Sequence, residues 1–587
     1  MNTRDGRWFF LLCAIVLCYV IARAVLVPFV HDEAATYSMY VQVGEFLPWR
    51  SHWDAGNHFL STGLGIVADR AFGMHQWALR GASVLAFVLY AFGAWRIGGM
   101  VGDRLVRWCM WCGLLLCPFV LEFFSLFRGY GLAVAFMLVG LDGLLRLVRD
   151  GAVRHAAQAL LGFALANACI LSLLTLWFVV LVVVGWLLLT TARTTKQRAW
   201  RILLWMMIGV APFLFALRVS REMQAVGLFY YGSLDGFMDV TLRTLCNYVL
   251  GSGSAWVMLM VIIALSCCTA VAAHRWWNRG TWRQPIVVCT SLLWADVLSR
   301  VVMAVLISVN YPEDRAALHM VPLFVLTLAL TADALAARSG AMRYAALVLL
   351  YLPLRTIVTA NTTHTSLWPD ESVPARFVAR MADLQRQQGR PLVTGAYRQM
   401  NRSLPFAAVQ QGVQLPMPLT EGFPTGPHDV RVSRPDHLTA ASIGYKELDH
   451  DQGTGLTLLQ RERPLQFISS PSIPWPSRNT TDEFIGVLDS DTLSSGSDHL
   501  VEFSGRLSTN GPAQVKLVVE VRNAADSVLY YDAIMVTAFA PLEHSFTEVR
   551  HVPHLHPEQR AVIYFWNMRT AALRIDDSVV RVHVVLP

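Results

Sequence analysis

Charge is what this 587-residue sequence lacks most: 15% of its residues are Asp, Glu, Lys or Arg, where soluble globular domains carry about 25%. Lysine is nearly absent, with 3 Lys against 45 Arg. Cysteine is missing altogether from position 290 onward, so the second half of the chain forgoes disulfides. There is no Gly-rich phosphate loop, no zinc-ligand spacing and no nucleic-acid signature; Cys109-x-x-Cys112 lies in an apolar stretch without His partners and reads as small apolar helix residues. Scarce charge, 55% hydrophobic residues and a mean hydropathy of +0.44 exclude a disordered chain, a fibrous one and an ordinary cytosolic enzyme.

What is present divides near residue 360. Residues 1–360 hold 28 Lys+Arg and 17 Asp+Glu, net +11, whereas 361–587 hold 20 and 24, net −4. A hydrocarbon core of ~30 Å takes about 20 apolar residues per helix. On that ruler apolar stretches fall near 8–30, 76–97, 106–124, 129–148, 155–171, 172–191, 201–218, 254–274, 285–309, 316–336 and 342–360, eleven spans in all. Arginine supplies a second ruler, because cytoplasmic loops collect basic residues. With the N-terminus inside, the loops at 96–107, 146–154, 193–201, 274–283 and 338–343 are the inner ones, and each carries two to four basic residues. The loops at 31–75, 219–253 and 310–315 and the tail are then outside. The first span is too long for a cleaved signal and lacks a small-residue cleavage site. The bias toward arginine suits a GC-rich bacterial genome, and hence the inner (plasma) membrane with a periplasmic tail.

The tail reads as two pieces. Over 361–465 a helical pattern at 376–388 (Phe377, Met381, Leu384) precedes a strand at 391–395, which gives a small α/β domain. Over 466–587 alternating runs at 499–507, 514–522, 530–538, 546–551, 559–566 and 578–586 predict a β-sandwich.

Charges at the mouth of a span are costly and mark candidate function. The first outer loop opens with His31-Asp32-Glu33 and continues through Tyr37, Tyr40, Trp49, Trp53, Asp54, Asn57 and His58. Paired carboxylates there suit a general base or a metal ligand, and the aromatics suit a sugar-sized substrate. Arg128 and Arg315 lie at outer span ends, and a guanidinium holds phosphate through a bidentate fork. Asp296 and Arg300 stand i, i+4 within one span and read as a structural pair. Glu122 and His319 are further polar residues near a cavity, and Tyr230, Tyr231, Asp235 and Asp239 suggest an interfacial helix that gates the site.

These residues carry a resemblance. Asp32-Glu33-Ala34 after the first span, then Asn57-His58-Phe59-Leu60 before the second, resembles the first loop of GT-C glycosyltransferases, in the branch of protein O-mannosyltransferases and aminoarabinose lipid A transferases. Phe59 stands where that branch carries Pro. Phe127-Arg128-Gly129-Tyr130-Gly131-Leu132 resembles the branch's Arg-x-Tyr-x-Leu element, and Tyr311-Pro312-Glu313-Asp314-Arg315 resembles the loop that precedes its last spans. The stretch 562–577 is similar to the closing strands of carbohydrate-binding jelly rolls. The resemblance implies a GT-C-like polytopic helical fold and an inverting transfer of sugar from a polyprenyl-phosphate donor to a hydroxyl or amine. Asp32 is then the base, Glu33 orients it or meets the acceptor, and Arg128, with Arg315, His58 and Tyr130, holds the departing phosphate. His31, Asn57, Trp53, Glu313 and Asp314 line the cavity. Acceptors left open are a glycan, a lipid or a protein; membrane lipid is a partner and nucleic acid is not. The resemblance fixes no certain cofactor and leaves a divalent cation open. Two readings from other classes compete: a flippase for lipid-linked sugars, which calls for internal repeats and helices broken at mid-membrane, and a non-catalytic polysaccharide assembly protein.

Overall fold

The computed structural model describes residues 3–229, 231–279, 282–488, 493 and 496–586. They form two compact units: Met1–Leu26 with Phe46–Thr362, and Val27–Glu45 with Thr363–Pro587.

The first unit is helical. Each of the eleven apolar stretches carries helix, and among the described residues eight helices are long and apolar enough to cross a membrane: Arg4–Leu26, Gln76–Gly98, Gly129–Asp150, Leu171–Thr190, Thr195–Ala225, Ala255–Trp277, Pro285–Ile307 and Gly340–Thr359. The other three are shorter. Arg104–Leu115 ends before Pro118, and Val153–Cys169 and Met320–Ala336 have 17 residues each. The chain breaks at Ile170–Leu173, where a short 3-10 turn separates the two helices expected between 155 and 191. Local chemistry sets the boundaries. Asp103 caps its helix by accepting from the Leu105 and Val106 amides at 2.8 and 3.1 Å, Gly151 ends the helix before it with a φ of 68°, and Pro285 opens its helix in the first turn, where no amide partner is lost. An amphipathic helix at Phe59–Phe72 interrupts the loop expected over 31–75.

Buried charge inside this unit is paired, as a low-dielectric interior demands. Arg23 Nη2 lies 2.6 Å from Glu122 Oε1, with both side chains almost fully enclosed, and Arg23 also donates to the Asn361 carbonyl at 2.5 Å. Asp296 accepts from His319 Nε2 at 2.7 Å and from Thr175 Oγ1 at 3.0 Å, and its Oδ1 lies 3.3 Å from Arg300. The Asp296–Arg300 pair is therefore part of a buried cluster tying three helices together.

The second unit holds two β layers systems. A mixed sheet comprises β1 (Thr394–Ala396), β2 (Val430–Ser433), β3 (Tyr445–His450) and β4 (Thr457–Arg461) in the order β1-β2-β4-β3, with β1 and β2 parallel. The helix Ala375–Gln388 buries Phe377, Val378 and Met381 against Val430, Val432 and Leu458 of that sheet. A sandwich follows, built from β5 (Phe467–Ser469), β6 (Ile473–Trp475), β7 (Arg478–Thr480), β8 (Phe484–Leu488), β9 (His499–Thr509), β10 (Val515–Arg522), β11 (Val528–Met535), β12 (Glu543–Val552), β13 (Arg560–Asn567) and β14 (Leu573–Val585). Its layers run β11-β10-β13-β8 and β12-β9-β14-β5, with β6 and β7 also on β14. The core takes alternate residues from both, Leu517, Val519, Ile563 and Phe565 from one and Phe503, Phe546, Ile575 and Val580 from the other. All six runs expected from alternation overlap strands.

The grouping departs from the sequence division in one place. Residues 27–45, expected with the helices, group with the C-terminal part because their aromatics pack there: Phe29 stacks on Phe406 at 4.3 Å and Tyr37 on Phe539 at 6.1 Å.

One buried acid makes this unit pH-sensitive. Glu548 on β12 is 6% exposed and accepts the Met417 amide at 2.8 Å. Burial pushes its carboxyl from an ordinary 4.5 up to about 7, against the opposing pull of Arg550 and the Met417 amide. Between those values the folded chain holds a proton that the unfolded chain has released, so stability falls as pH rises across the window and the loss is complete above it. Glu548→Gln keeps the acceptor without the charge and is expected to remove a penalty on the order of 3 kcal/mol. Differential scanning fluorimetry from pH 5 to 8 checks this: the wild-type midpoint falls and the variant's falls less, whereas equal slopes would contradict it.

Candidate functional site

The residues singled out by sequence fall into three groups, two on the helical unit and one on the other.

The first group sits at the start of the helix Gly129–Asp150. Arg128 is the N-cap, extended at φ −138° and ψ 151°, and its carbonyl accepts from Ser83 Oγ at 3.4 Å. His58 packs beside it. Its Nδ1 stands 2.8 Å from the Cys169 carbonyl, which can only accept, so Nδ1 carries a proton. Tyr130 meets His58 edge to face at 4.8 Å and Phe123 at 4.9 Å. The glycine between Arg128 and Tyr130 is what allows this packing: a Cβ on Gly129 would stand 2.6 Å from the Cys169 carbonyl oxygen and 2.8 Å from His58 Cβ. Asn57 donates to the Phe46 carbonyl at 2.9 Å and so fixes the loop before His58. Asp54 accepts the Gly56 amide at 2.5 Å; a Cβ on Gly56 would lie 2.8 Å from Asp54 Oδ1 and 3.6 Å from Arg128 Nη2, so the carboxylate and the guanidinium flank one residue. A fixed cation at a helix N-terminus, where backbone amides also point outward, is an arrangement suited to an anion. Trp53 is placed differently, 5.9 Å from Trp49, whose indole donates to Glu222 and packs edge-on to Phe215.

The second group is the 310–315 loop. Arg315 Nη1 donates to the Tyr231 hydroxyl at 2.9 Å with the guanidinium over the Tyr231 ring, and Tyr231 donates to Asp314 Oδ2 at 2.6 Å. Asp314 adopts a left-handed φ of 37°, a conformation that Asp tolerates better than most residues, and its amide donates to Thr244 Oγ1 at 3.0 Å. Thr241 Oγ1 donates to the Pro312 carbonyl at 2.7 Å, and Tyr311 pairs with Ser233 across an isolated bridge. Gly232, at φ 84°, approaches so near that a Cβ would lie 2.1 Å from the Tyr311 carbonyl oxygen. Desolvation raises the Tyr231 hydroxyl, with Arg315 opposing and Asp314 and Tyr130 adding to the rise. Desolvation and the Asp314 charge raise the Glu313 carboxyl.

These two groups belong to one neighbourhood. Tyr248, whose own hydroxyl is raised by desolvation and by Asp314, stacks on Phe119 at 5.2 Å, and Phe119 contacts Phe123, which contacts Tyr130. Sequence reasoning grouped Arg128, His58, Tyr130 and Arg315 as phosphate ligands; it missed Thr244 and Tyr248, which no local pattern marks, and named Tyr231 only as a gate. Tyr230 lies outside the described residues.

The third group is on the second unit. His31–Thr36 forms a short helix. The His31 amide donates to Glu371 Oε2 at 3.0 Å and its Nδ1 to the Gln399 carbonyl at 2.8 Å. Asp32 is half-buried. Glu33, grouped with Asp32 as catalytic from sequence, is fully buried and accepts the Val30 amide through Oε2 at 3.3 Å, the carboxylate of a capping box. That bond holds the start of the helix. Among the described residues no group of three or more His, Cys, Asp or Glu is placed to hold a metal ion.

No family model matches the chain, and none of the curated proteins matches it. Solved structures do resemble it. ArnT from Cupriavidus metallidurans in the apo state is 13% identical, covering 78% of this chain and 98% of that one at a TM-score of 0.44. Arabinosyltransferase EmbB from Mycobacterium smegmatis is 12% identical over all of this chain and 65% of that one, at 0.40. The Archaeoglobus fulgidus oligosaccharyltransferase tethered with an acceptor peptide is 9% identical over 95% and 94%, at 0.38. Scores of this size do not establish a shared fold.

Proposed function

We propose that the chain is a multi-pass membrane glycosyltransferase that moves a sugar from a polyprenyl-phosphate donor to an acceptor hydroxyl or amine. The observation that carries this reading is the anchoring of Arg128 at the N-terminus of a long apolar helix, with His58 and Tyr130 beside it. A lipid-linked phosphate needs such a cationic place at the end of membrane-crossing helices. The arginine-rich loops lie at the opposite helix ends by sequence, which supports an external site. Arg128 and Arg315 neutralise the negative charge that grows on the departing phosphate, and Asp32 takes the acceptor's proton. Attack opposite the leaving phosphate inverts the anomeric centre.

The test is a donor and acceptor screen with purified protein in liposomes and radiolabelled polyprenyl-phosphate sugars. The label is expected to leave the lipid for an acceptor and to appear in the opposite anomeric configuration. Label that crosses the bilayer still attached to lipid would replace this reading by a flippase. A second expectation concerns the anion site. Gly129→Ala overpacks His58 against the Cys169 carbonyl at a cost of about 1–3 kcal/mol, so undecaprenyl phosphate is expected to bind about tenfold more weakly; wild-type affinity in native mass spectrometry would show that this packing does not matter.

A further inference from the structure

We propose that the C-terminal unit positions Asp32, with Gln42, Phe406 and Glu371 as positioning residues. This rests on the transferase reading above, because it takes Asp32 as the base.

The helix His31–Thr36 has six residues, and a helix so short is not stable by itself. Its N-cap, Val30, offers no side-chain acceptor for the first amides. Its orientation must therefore come from tertiary contacts, and those named here all lie in the same unit. On the near side, Phe29 stacks on Phe406 at 4.3 Å with planes 9° apart, and the His31 amide and ring donate to Glu371 and to the Gln399 carbonyl. On the far side, Gln42 uses both ends of its amide. Nε2 donates to the Thr537 and Ala540 carbonyls at 2.8 and 2.9 Å, and Oε1 accepts the Phe539 amide at 3.0 Å. Phe539 holds a left-handed φ of 63°, which a Phe adopts only where its surroundings impose it, and its ring meets both Tyr37 and Phe406. Glu45 closes the segment with Arg569 at 2.9 Å. The segment carrying Asp32 is thus gripped before and after the carboxylate, by the α/β part through Glu371 and Phe406 and by the sandwich through residues 537–540 and Arg569. Arg128, His58, Tyr130, Tyr231, Asp314 and Arg315 all belong to the helical unit, so binding of the lipid phosphate is expected to survive changes that displace the base.

Steady-state kinetics on the full-length protein tests this, together with undecaprenyl phosphate binding by native mass spectrometry. Gln42→Ala and Phe406→Ala are each expected to lower kcat at least about tenfold while the donor KM stays within about twofold, since a misplaced base slows chemistry without loosening the donor. Undecaprenyl phosphate binding is expected to stay at the wild-type level, which shows that the helical unit is folded. Glu371→Ala is expected to behave likewise, and Glu371→Gln, which keeps an acceptor for the His31 amide, to restore turnover. Wild-type kcat in Gln42→Ala and Phe406→Ala overturns the proposal, as does loss of undecaprenyl phosphate binding in parallel with kcat. Wild-type turnover in Asp32→Asn would instead overturn the transferase assignment of the base, so the two failures are distinguishable.

Discussion

Arg128→Gln is expected to lower sugar transfer by about 10²–10³-fold, the loss seen when one preorganised donor to a developing charge is removed. The residue is buried at 3% exposure and caps the N-terminus of the helix Gly129–Asp150, where the first backbone amides have no partner within the helix. A unit charge at ~4 Å from a phosphate oxygen contributes about 4 kcal/mol at an effective dielectric of 20, and the leaving phosphate gains charge in the transition state, so kcat suffers as well as KM. Arg128→Lys is the informative companion. It restores the charge but not the bidentate fork, so transfer is expected to recover in part. If both variants turn over like the wild type, Arg128 does not hold the donor.

Asp32→Asn is expected to cost about 10²–10⁴-fold in kcat, the range for a positioned general base. The amide is isosteric and cannot accept the acceptor's proton. Thr36 Oγ1 donates to the Asp32 backbone carbonyl at 2.8 Å, a bond that the substitution leaves in place. Glu33→Gln is the control within the same turn. An amide oxygen can still accept the Val30 amide, so its effect should be on stability and small. Equal losses in the two variants would place the chemistry elsewhere; transfer assays across the pH range, with the acidic limb missing only in Asp32→Asn, separate them.

How far the sequence carries the reader depends on the range of each interaction. Apolar length locates all eleven helical stretches, and two-residue alternation locates the six long strands, because both are local periodicities. Pairings across the chain leave no such mark. Tyr231 meets Arg315 across 84 positions and Arg23 meets Glu122 across 99; the latter pair was legible only as a charge in an apolar stretch with no partner assigned. The glycines of the 127–132 motif stood out as letters, but the reason for Gly129 is the Cys169 carbonyl and the His58 ring, 40 positions ahead and 71 behind. The largest surprise is the allegiance of residues 27–45. Its signal is in Phe29, Tyr37 and Gln42, of which only Tyr37 stands out in the sequence, as a loop aromatic, and only the fold shows that their partners are Phe406, Phe539 and the 537–540 turn.

Mass spectrometry of the donor tests the central claim most directly. Purified chain is incubated with a polyprenyl-phosphate sugar and acceptor-bearing membranes, and the lipid fraction is followed over time. Free polyprenyl phosphate is predicted to accumulate as sugar appears on the acceptor, with the rate falling at least about a hundredfold in Arg128→Gln and in Asp32→Asn. A donor that stays intact with every acceptor supplied, or equal rates in wild type and both variants, would contradict the account.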